Sequence, residues 1–231
     1  MKNIGLIGGM SWESSAVYYD YINKKVNELL GGFHSAKTIM LSVDFAEVED
    51  LQHRGEWDEL DKMMSDAAIR LERAGADFIV LCTNTMHLCS KAIVDSIKIP
   101  FLHIAEALGQ EMKELGIEKA GLLGTKFTME KDFYKSYLLE HFGIELITPC
   151  EEDRDIVHRI IYGELVHGKI IDESRDLYRG IIARMDDEGA RGVILGCTEI
   201  PLLISGKDVN IPVFDTTCIH ANKAVEWALS V

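Results

Sequence analysis

The sequence lacks any run of basic residues. Its 24 Lys and Arg residues are outnumbered by 38 Asp and Glu residues, which gives a formal net charge of −14 at pH 7. Nucleic-acid backbones and anionic membrane surfaces attract proteins through clustered Lys and Arg, so this charge would repel both. The composition therefore predicts no nucleic-acid partner and no membrane partner.

Long apolar runs are also missing. No segment approaches the roughly 18 consecutive apolar residues that mark a membrane-spanning helix. The first apolar run begins at Ile4 and is too short and too Gly-rich for a secretory signal. We expect a cytoplasmic protein whose thiols stay reduced.

The cysteines show no metal-binding pattern. Five are present, and they form neither a CxxC pair nor a Cys-His ligand series. Structural zinc sites depend on such spacings, so the sequence predicts no metal. Free cysteine usually packs as a small hydrophobic residue, and we expect this of Cys89, Cys150 and Cys218.

Short apolar runs bounded by turn residues recur along the whole chain. The runs are Ile4–Ile7, Thr38–Val43, Phe78–Leu81, Phe101–Ile104, Ala120–Leu123, Ile144–Ile147, Val193–Leu195 and Val213–Phe214. They are continuous rather than alternating, which is typical of strands buried on both faces of a parallel sheet. Helical patterns lie between them, at about residues 11–30, 57–74, 86–97, 105–115, 129–142, 153–167, 172–188 and 217–229. The alternation predicts an α/β fold with mostly parallel sheets flanked by helices.

The second half of the sequence echoes the first. The matching segments are Gly5–Gly8 with Gly121–Gly124, Ala74–Leu81 with Gly189–Leu195, and Pro100–Ala105 with Pro212–Thr217. Such a repeat predicts two pseudo-symmetric lobes, residues 1–99 with 211–231 and residues 100–210. The expected ligand site is a cleft between the lobes, at the carboxyl ends of their strands.

The third strand of each half ends in a polar turn. In the first half the turn is Cys82–Thr85, and in the second it is Gly196–Glu199. Backbone N–H groups at the start of a helix favour a carboxylate there and lower the pKa of a thiol. This context favours a chemical role for Cys197. Cys82 could equally be a core residue, and Asn84 and Glu199 could be no more than helix caps.

Together the two turns resemble the aspartate/glutamate racemase superfamily. Its paired motifs are Cys-Asn-Thr and Gly-Cys-Thr, and this chain has Thr83–Thr85 and Gly196–Thr198. Further matches are Gly8–Ser11, Leu123–Thr125 and Ile161–Tyr162, so the resemblance spans essentially the whole chain. It implies an isomerase that racemises a small amino acid without pyridoxal phosphate or any other cofactor, as a homodimer.

The resemblance also implies roles for individual residues. Cys197 as a thiolate would remove the α-proton, and a proton would arrive on the opposite face near Thr83. The residues that would contact the substrate are Met10, Gln52, Asn84, Thr85, Thr125, Thr198 and Glu199. Backbone N–H groups of both turns would stabilise the developing carbanion.

One position departs from the family pattern. The first-half cysteine of the motif is replaced by Thr83, and Cys82 lies one residue earlier. Adjacent side chains of a strand point to opposite faces, so Cys82 can replace Thr83 only if the strand ends in a bulge. The internal repeat allows either Cys82 or Thr83 to be aligned with Cys197, whereas the Asn-Thr pair that follows position 83 favours Thr83. Because a hydroxyl is a far weaker acid than a thiol, we expect a reaction that is fast from one enantiomer only.

The substrate side chain is indicated by resemblance alone. Members that act on acidic amino acids carry a basic residue after the Ile-Tyr motif, and the corresponding place is near Val166, with His167 and Lys169 close by. After the second strand, Gln52 and Arg54 could also bind a substrate carboxylate. All of these residues could instead belong to solvated loops. Aspartate or glutamate is the expected substrate.

Three other functions compete with racemisation. A cofactor-free decarboxylase or isomerase of small dicarboxylic acids would also place a single thiol at such a turn. A nucleotide-dependent enzyme is disfavoured because Gly5–Met10 lacks the GxGxxG pattern and no Walker motif occurs. A two-lobed solute-binding protein would need no thiol in its cleft.

Overall fold

A computed structural model describes residues 1–230 of the chain. The chain divides into two compact units. The first comprises residues 1–104 together with the segment that starts at His220, and the second comprises Ala105–Ile219. Among the described residues, no helix is long and apolar enough to cross a membrane.

The first unit contains four parallel strands. They are β1 (Ile4–Gly8), β2 (Thr38–Ser42), β3 (Phe78–Leu81) and β4 (Phe101–Leu102), in the order β2-β1-β3-β4. The α-helices between them are α1 (Trp12–Leu30), α2 (Phe45–Arg54), α3 (Trp57–Arg73) and α4 (Ser90–Ser96), and a 3₁₀ helix covers Thr85–Cys89. All five residues of β1 are buried, as expected of a central strand covered on both faces.

Two apolar clusters cover the two faces of this sheet. One contains Ile7, Ile79 and Leu81 and packs against α3. The other contains Leu6, Val80 and residues of α1. Because neighbouring residues of a strand point to opposite faces, each strand contributes alternately to the two clusters.

The second unit repeats this plan. Its strands are β5 (Lys119–Leu123), β6 (Glu145–Ile147), β7 (Val193–Leu195) and β8 (Val213–Asp215), in the order β6-β5-β7-β8, and all pairs are parallel. Its helices are α5 (Ile104–Glu114), α6 (Lys126–Glu130), α7 (Phe133–Phe142), α8 (Glu151–Gly163) and α9 (Asp172–Asp187), with 3₁₀ helices at Leu165–His167 and Ile200–Leu202. The last helix, α10 (Thr216–Leu229), begins in the second unit and ends in the first.

The structure confirms the predicted fold class of two parallel sheets flanked by helices. Within residues 1–230 all eight predicted strands are present, and the two sheets have equivalent strand orders. The helix α2 was not predicted, and its segment Phe45–Arg54 carries only one buried residue, Val48. The predicted helix at 86–97 is a 3₁₀ turn followed by α4.

The unit boundaries differ from the predicted ones. The sequence-based boundaries after residues 99 and 210 precede β4 and β8, whereas the structure divides the chain after Ile104 and Ile219. The physical reason is strand pairing, since β4 pairs with β3 and β8 pairs with β7. Each half therefore keeps its fourth strand, and the chain leaves each unit only after it.

Candidate active site

The first polar turn begins at Cys82, which is a core residue. Its backbone N–H donates to the carbonyl of Ile7 at 2.9 Å, so the strand pairing continues through this position. The side chain is 0% exposed and packs in the cluster that contains Leu6 and Val80. Burial raises the pKa of the Cys82 thiol far above its ordinary value. A thiol held in this state is a poor acid and a poor base.

Thr83 follows at the point where the strand stops. Its N–H donates to the carbonyl of Leu81 at 2.9 Å, a tight turn that takes the backbone out of the sheet. The Thr83 and Thr85 side chains are half-buried, and Asn84 is 6% exposed. The half-buried Thr83 hydroxyl thus contrasts with the fully buried thiol beside it.

Gln52 lies against the 3₁₀ helix that follows this turn, and Met10 belongs to the apolar core of the same unit. Gln52 is on α2, and its Nε2 donates to the sulfur of Met86, in the 3₁₀ helix after Thr83, at 3.0 Å. The Met10 side chain is 6% exposed and packs in the same apolar cluster as Met86. The first unit therefore places Gln52 beside the 3₁₀ helix that follows Thr83–Thr85, and any polar contact from Met10 to a ligand would come from its backbone.

The turn after β1 is held by Ser15, a residue that sequence reasoning missed. Its hydroxyl accepts from the N–H of Gly9 at 2.8 Å and donates to the carbonyl of Ser11 at 3.0 Å. Gly9 has φ +97°, and a Cβ there would lie 2.2 Å from the carbonyl oxygen of Val43. Glycine is therefore required at this position, because both the backbone angle and the space exclude a side chain.

The second polar turn presents a thiol bonded to a carboxylate. Cys197 is half-buried, and its Sγ donates to Glu199 Oε2 at 2.8 Å. The Thr198 hydroxyl donates to the same oxygen at 2.9 Å. One carboxylate oxygen of Glu199 thus accepts hydrogen bonds from both Cys197 and Thr198. The sequence predicts all three residues as part of the site.

The expected lowering of the Cys197 pKa is wrong. Burial is the main cause of a pKa well above the ordinary value, and the negative charge and hydrogen bond of Glu199 raise it further. Backbone N–H groups of Thr198 and Glu199 act in the opposite direction. The helix that follows is only the short 3₁₀ segment Ile200–Leu202, so its dipole is too small to offset burial and a neighbouring carboxylate.

Thr125 lies at the neighbouring strand end. It follows β5, and its hydroxyl accepts from the N–H of Thr128 at 3.4 Å as the N-cap of α6. The strand ends are close, since the N–H of Gly196 donates to the carbonyl of Leu123 at 2.7 Å. The second unit therefore brings Thr125 near the turn of Cys197.

The basic candidates lie on exposed surface. Arg54 pairs with Asp50, and His53 pairs with Glu49, one turn earlier on α2. Val166, His167 and Lys169 are exposed on and after a 3₁₀ helix. Solvated ion pairs of this kind contribute little energy, and they leave Arg54 already partnered. Among the described residues, no group of three or more His, Cys, Asp or Glu side chains could hold a metal ion.

Comparison with known proteins gives one consistent picture. A family model described as Asp/Glu/hydantoin racemase matches residues 7–224. A Yersinia pestis protein assigned to the Asp/Glu racemases is 52% identical, with a TM-score of 0.96 and complete coverage of both chains. An aspartate racemase homologue from Pyrococcus horikoshii OT3 is 36% identical, with a TM-score of 0.90 and complete coverage of both. The broad-specificity amino-acid racemase RacX of Bacillus subtilis is 24% identical over 98% of each chain.

Proposed function

The chain belongs to the Asp/Glu/hydantoin racemase family, which makes it a racemase and hence an isomerase, and we propose that it racemises a free amino acid without a cofactor. Cys197 and Thr83 act on the same α-carbon from opposite faces in this proposal. The observation that carries it is the half-buried Cys197 thiol, which is hydrogen-bonded to a carboxylate at the end of β7.

Glu199 provides a route for activating the thiol. Only the thiolate can remove a carbon-bound proton efficiently, yet the pKa of Cys197 is raised. The hydrogen bond aims the thiol proton at Glu199 Oε2, so transfer along it leaves a thiolate and a neutral carboxylic acid. The thiolate then takes the α-proton, and the electron pair of the C–H bond passes into the carbanion. Glu199 thus serves the thiol instead of contacting the substrate, where its charge would repel a carboxylate.

Thr83 completes the reaction on the other face. Its hydroxyl donates a proton to the carbanion and is reprotonated by solvent as it does so, which avoids a free alkoxide. Cys82 is unsuited to this role because it is fully buried in the core and its thiol pKa is far above the ordinary value. Asn84, Thr85 and the backbone N–H groups of the turns hold the substrate carboxylate.

The difference in acidity between the Cys197 thiol and the Thr83 hydroxyl can appear in some kinetic quantities but not in kcat/KM. Two enantiomers have the same free energy, so kcat/KM must be equal in the two directions. The difference between a thiol and a hydroxyl therefore appears in kcat and KM taken separately. It also appears in exchange of the α-proton without inversion, because the Cys197 face can exchange when the Thr83 face fails to deliver.

An acidic amino acid is the substrate class that the relatives favour. The two solved structures noted above are an Asp/Glu racemase assignment and an aspartate racemase homologue. Gln52 lies beside the Thr83 turn and can hydrogen-bond a side-chain carboxylate through the same NH₂ that now contacts Met86. RacX is described as having broad specificity, so the substrate panel must extend beyond aspartate and glutamate.

The test is α-proton exchange in deuterated water. Purified protein without added pyridoxal phosphate is incubated with separate L- and D-amino acids, and deuterium at Cα and chirality are measured together. Acidic amino acids should incorporate deuterium and invert, and Cys197→Ser should stop both while leaving ligand binding intact. Release of CO₂ from a substituted malonate, without exchange of any amino acid, would contradict racemisation and support the decarboxylase alternative.

A further inference from the structure

A buried histidine forms a hydrogen bond to the backbone of the Thr83 turn. His87 lies in the 3₁₀ helix Thr85–Cys89 and is 1% exposed. Its Nδ1 is 2.8 Å from the carbonyl oxygen of Thr83, and its Nε2 is 3.1 Å from the backbone nitrogen of Ile104. Both ring nitrogens are therefore in hydrogen bonds to main-chain groups.

These partners determine where the ring carries its proton. A backbone N–H can only donate, so the bond from Ile104 requires a lone pair on Nε2. A carbonyl oxygen can only accept, so Nδ1 must carry the hydrogen that is donated to Thr83. Both bonds together demand the neutral Nδ1–H form, because a second proton on Nε2 would meet the N–H of Ile104 head-on.

The surroundings favour this neutral form. The ring of His103 lies edge-on at a centroid distance of 4.7 Å, and the ring of His220, from α10, lies at 5.8 Å. Phe101 of β4 covers a further side at 5.6 Å. Burial is the main cause that lowers the pKa of His87 well below its ordinary value, and the neighbouring histidines lower it further.

The hydrogen bond from His87 affects Thr83, whose hydroxyl takes part in the proposed reaction. In a trans peptide, C=O and N–H point in opposite directions, so a Thr83 carbonyl held by His87 turns the N–H of Asn84 the other way. The N–H of Thr83 is fixed to the carbonyl of Leu81 at 2.9 Å. With both ends of the residue held, the direction of the Thr83 hydroxyl depends on one stiff side-chain torsion.

We propose that His87 is a positioning residue for racemisation, which uses its neutral Nδ1–H ring to hold the Thr83 carbonyl and thereby orients the Thr83 hydroxyl toward the substrate. The inference rests on the proposed function, since it assigns His87 to the proton-delivering turn. His87 itself does not exchange protons with the substrate.

The hydrogen bond is tested first, independently of activity. Nitrogen-15 NMR of the histidine rings should show His87 protonated on Nδ1 at neutral pH. His220 is the internal control, because its Nε2 lies 2.9 Å from the carbonyl of Leu102 and its Nδ1 lies 2.9 Å from the hydroxyl of Tyr18, which requires the opposite tautomer. A charged His87 ring, or one protonated on Nε2, would overturn the inference.

Two variants then separate the two bonds of the ring. In His87→Asn the amide NH₂ can occupy the place of Nδ1 and still donate to Thr83. In His87→Gln the amide oxygen can occupy the place of Nε2 and still accept from Ile104, but the bond to Thr83 is lost. Each variant leaves one buried partner unsatisfied, so both should lose similar thermal stability.

The expected result is a split between inversion and exchange. His87→Gln should lower kcat for inversion by about 10–100-fold with little change in KM, because misplaced groups lose rate steeply. Exchange with retention, on the Cys197 face, should be unchanged, and His87→Asn should keep most of the inversion rate. Combining His87→Gln with Thr83→Ala should cost no more than Thr83→Ala alone.

A purely structural role predicts a different pattern. Both variants would then lower inversion and exchange by the same factor, in line with their stability, and this result would overturn the positioning role. Wild-type protein that exchanges no α-deuterium with any amino acid would instead overturn the proposed function, and the NMR result would still decide whether the hydrogen bond exists.

Discussion

The two units carry the same strand order but place their cysteines in opposite environments. Cys82, after β3, is fully buried among aliphatic side chains. Cys197, after β7, is half-buried and donates to the carboxylate of Glu199. Both thiols have raised pKa values, and burial is the main cause for each, but only Cys197 has an acceptor aligned with its proton.

A difference of one residue along the strand decides whether a cysteine lies in the core or in the polar turn, where the proposed chemistry needs it. Cys82 still pairs with β1 through its N–H, so its side chain follows the alternation of the strand into the core. Thr83 follows Cys82 as Cys197 follows Gly196, whose N–H donates to the carbonyl of Leu123 in the neighbouring strand. The equivalent positions after β3 and β7 therefore carry different groups, a hydroxyl on Thr83 and a thiol on Cys197.

Replacing each of the two cysteines with alanine, in separate variants, should give the largest difference in turnover. Cys197→Ala removes the proposed base and should lower kcat by about 10²–10⁴-fold. Cys82→Ala leaves a small cavity in the core and should cost about 1 kcal/mol of stability with turnover unchanged. Racemisation assays and chemical denaturation measure the two effects, and the exposed Cys150→Ser is the matched control. A larger loss of turnover in Cys82→Ala than in Cys197→Ala would reverse the assignment.

Introducing a thiol at position 83 should make the first polar turn chemically more similar to the second. Thr83→Cys places a stronger acid and better base at the proton-delivering position and should raise the slower kcat by about tenfold. Both enantiomers should then exchange α-deuterium readily. Separate measurements of kcat from the L- and D-substrates check this. An unchanged ratio of the two values would show that the hydroxyl is not the limiting partner.

Removing the charge of Glu199 should lower the pKa of Cys197. The Glu199 carboxylate raises that pKa by its charge and its hydrogen bond, so Glu199→Gln should shift the alkylation profile of the thiol to lower pH. Turnover should fall nevertheless, because the amide cannot accept the thiol proton. Glu140→Gln, an exposed change on α7, is the control. An alkylation profile that stays in place would refute the coupling of the two side chains.

Acid should destabilise the first unit more than the second. His220 lies in the first unit, and burial lowers its pKa to about 4 from 6.5. Since the unfolded chain takes up the proton first, stability is complete above pH 6.5 and declines as pH falls toward 4. The loss is about 3 kcal/mol at pH 4. Amide hydrogen exchange resolved by unit measures it.

The control for acid sensitivity is a residue that cannot titrate. His220→Gln can keep the donor to the carbonyl of Leu102 but carries no ionisable ring. Its stability should decline less between pH 7 and pH 4 than that of the wild type. Parallel declines in the two proteins would show that other groups control the acid response.

Most of the fold is predictable from the sequence, for a definite physical reason. Strands buried on both faces must be continuous apolar runs, and all eight predicted runs form strands within residues 1–230. The helix α2 escapes prediction because it buries only Val48 and is mostly exposed. The unit boundaries escape because β4 is two residues long, too short for its pairing with β3 to be foreseen.

The site is less predictable, because its chemistry depends on distances across turns. Sequence reasoning singles out Thr83, Cys197 and Glu199. It does not predict that Glu199 accepts a hydrogen bond from the thiol, or that burial raises the pKa of Cys197. The sequence analysis assigns no role to His87. Its signal was its position four residues after Thr83 in an apolar stretch, and only the structure shows both of its main-chain partners.

The central claim is that Cys197 and Thr83 serve opposite faces of one α-carbon. Its most direct test is α-deuterium exchange by Thr83→Ala, measured separately from the L- and D-enantiomers of the substrate. We predict that one enantiomer still exchanges, with retention of configuration, while the other neither exchanges nor inverts. Equal loss of exchange from both enantiomers, or unimpaired inversion, would contradict the claim.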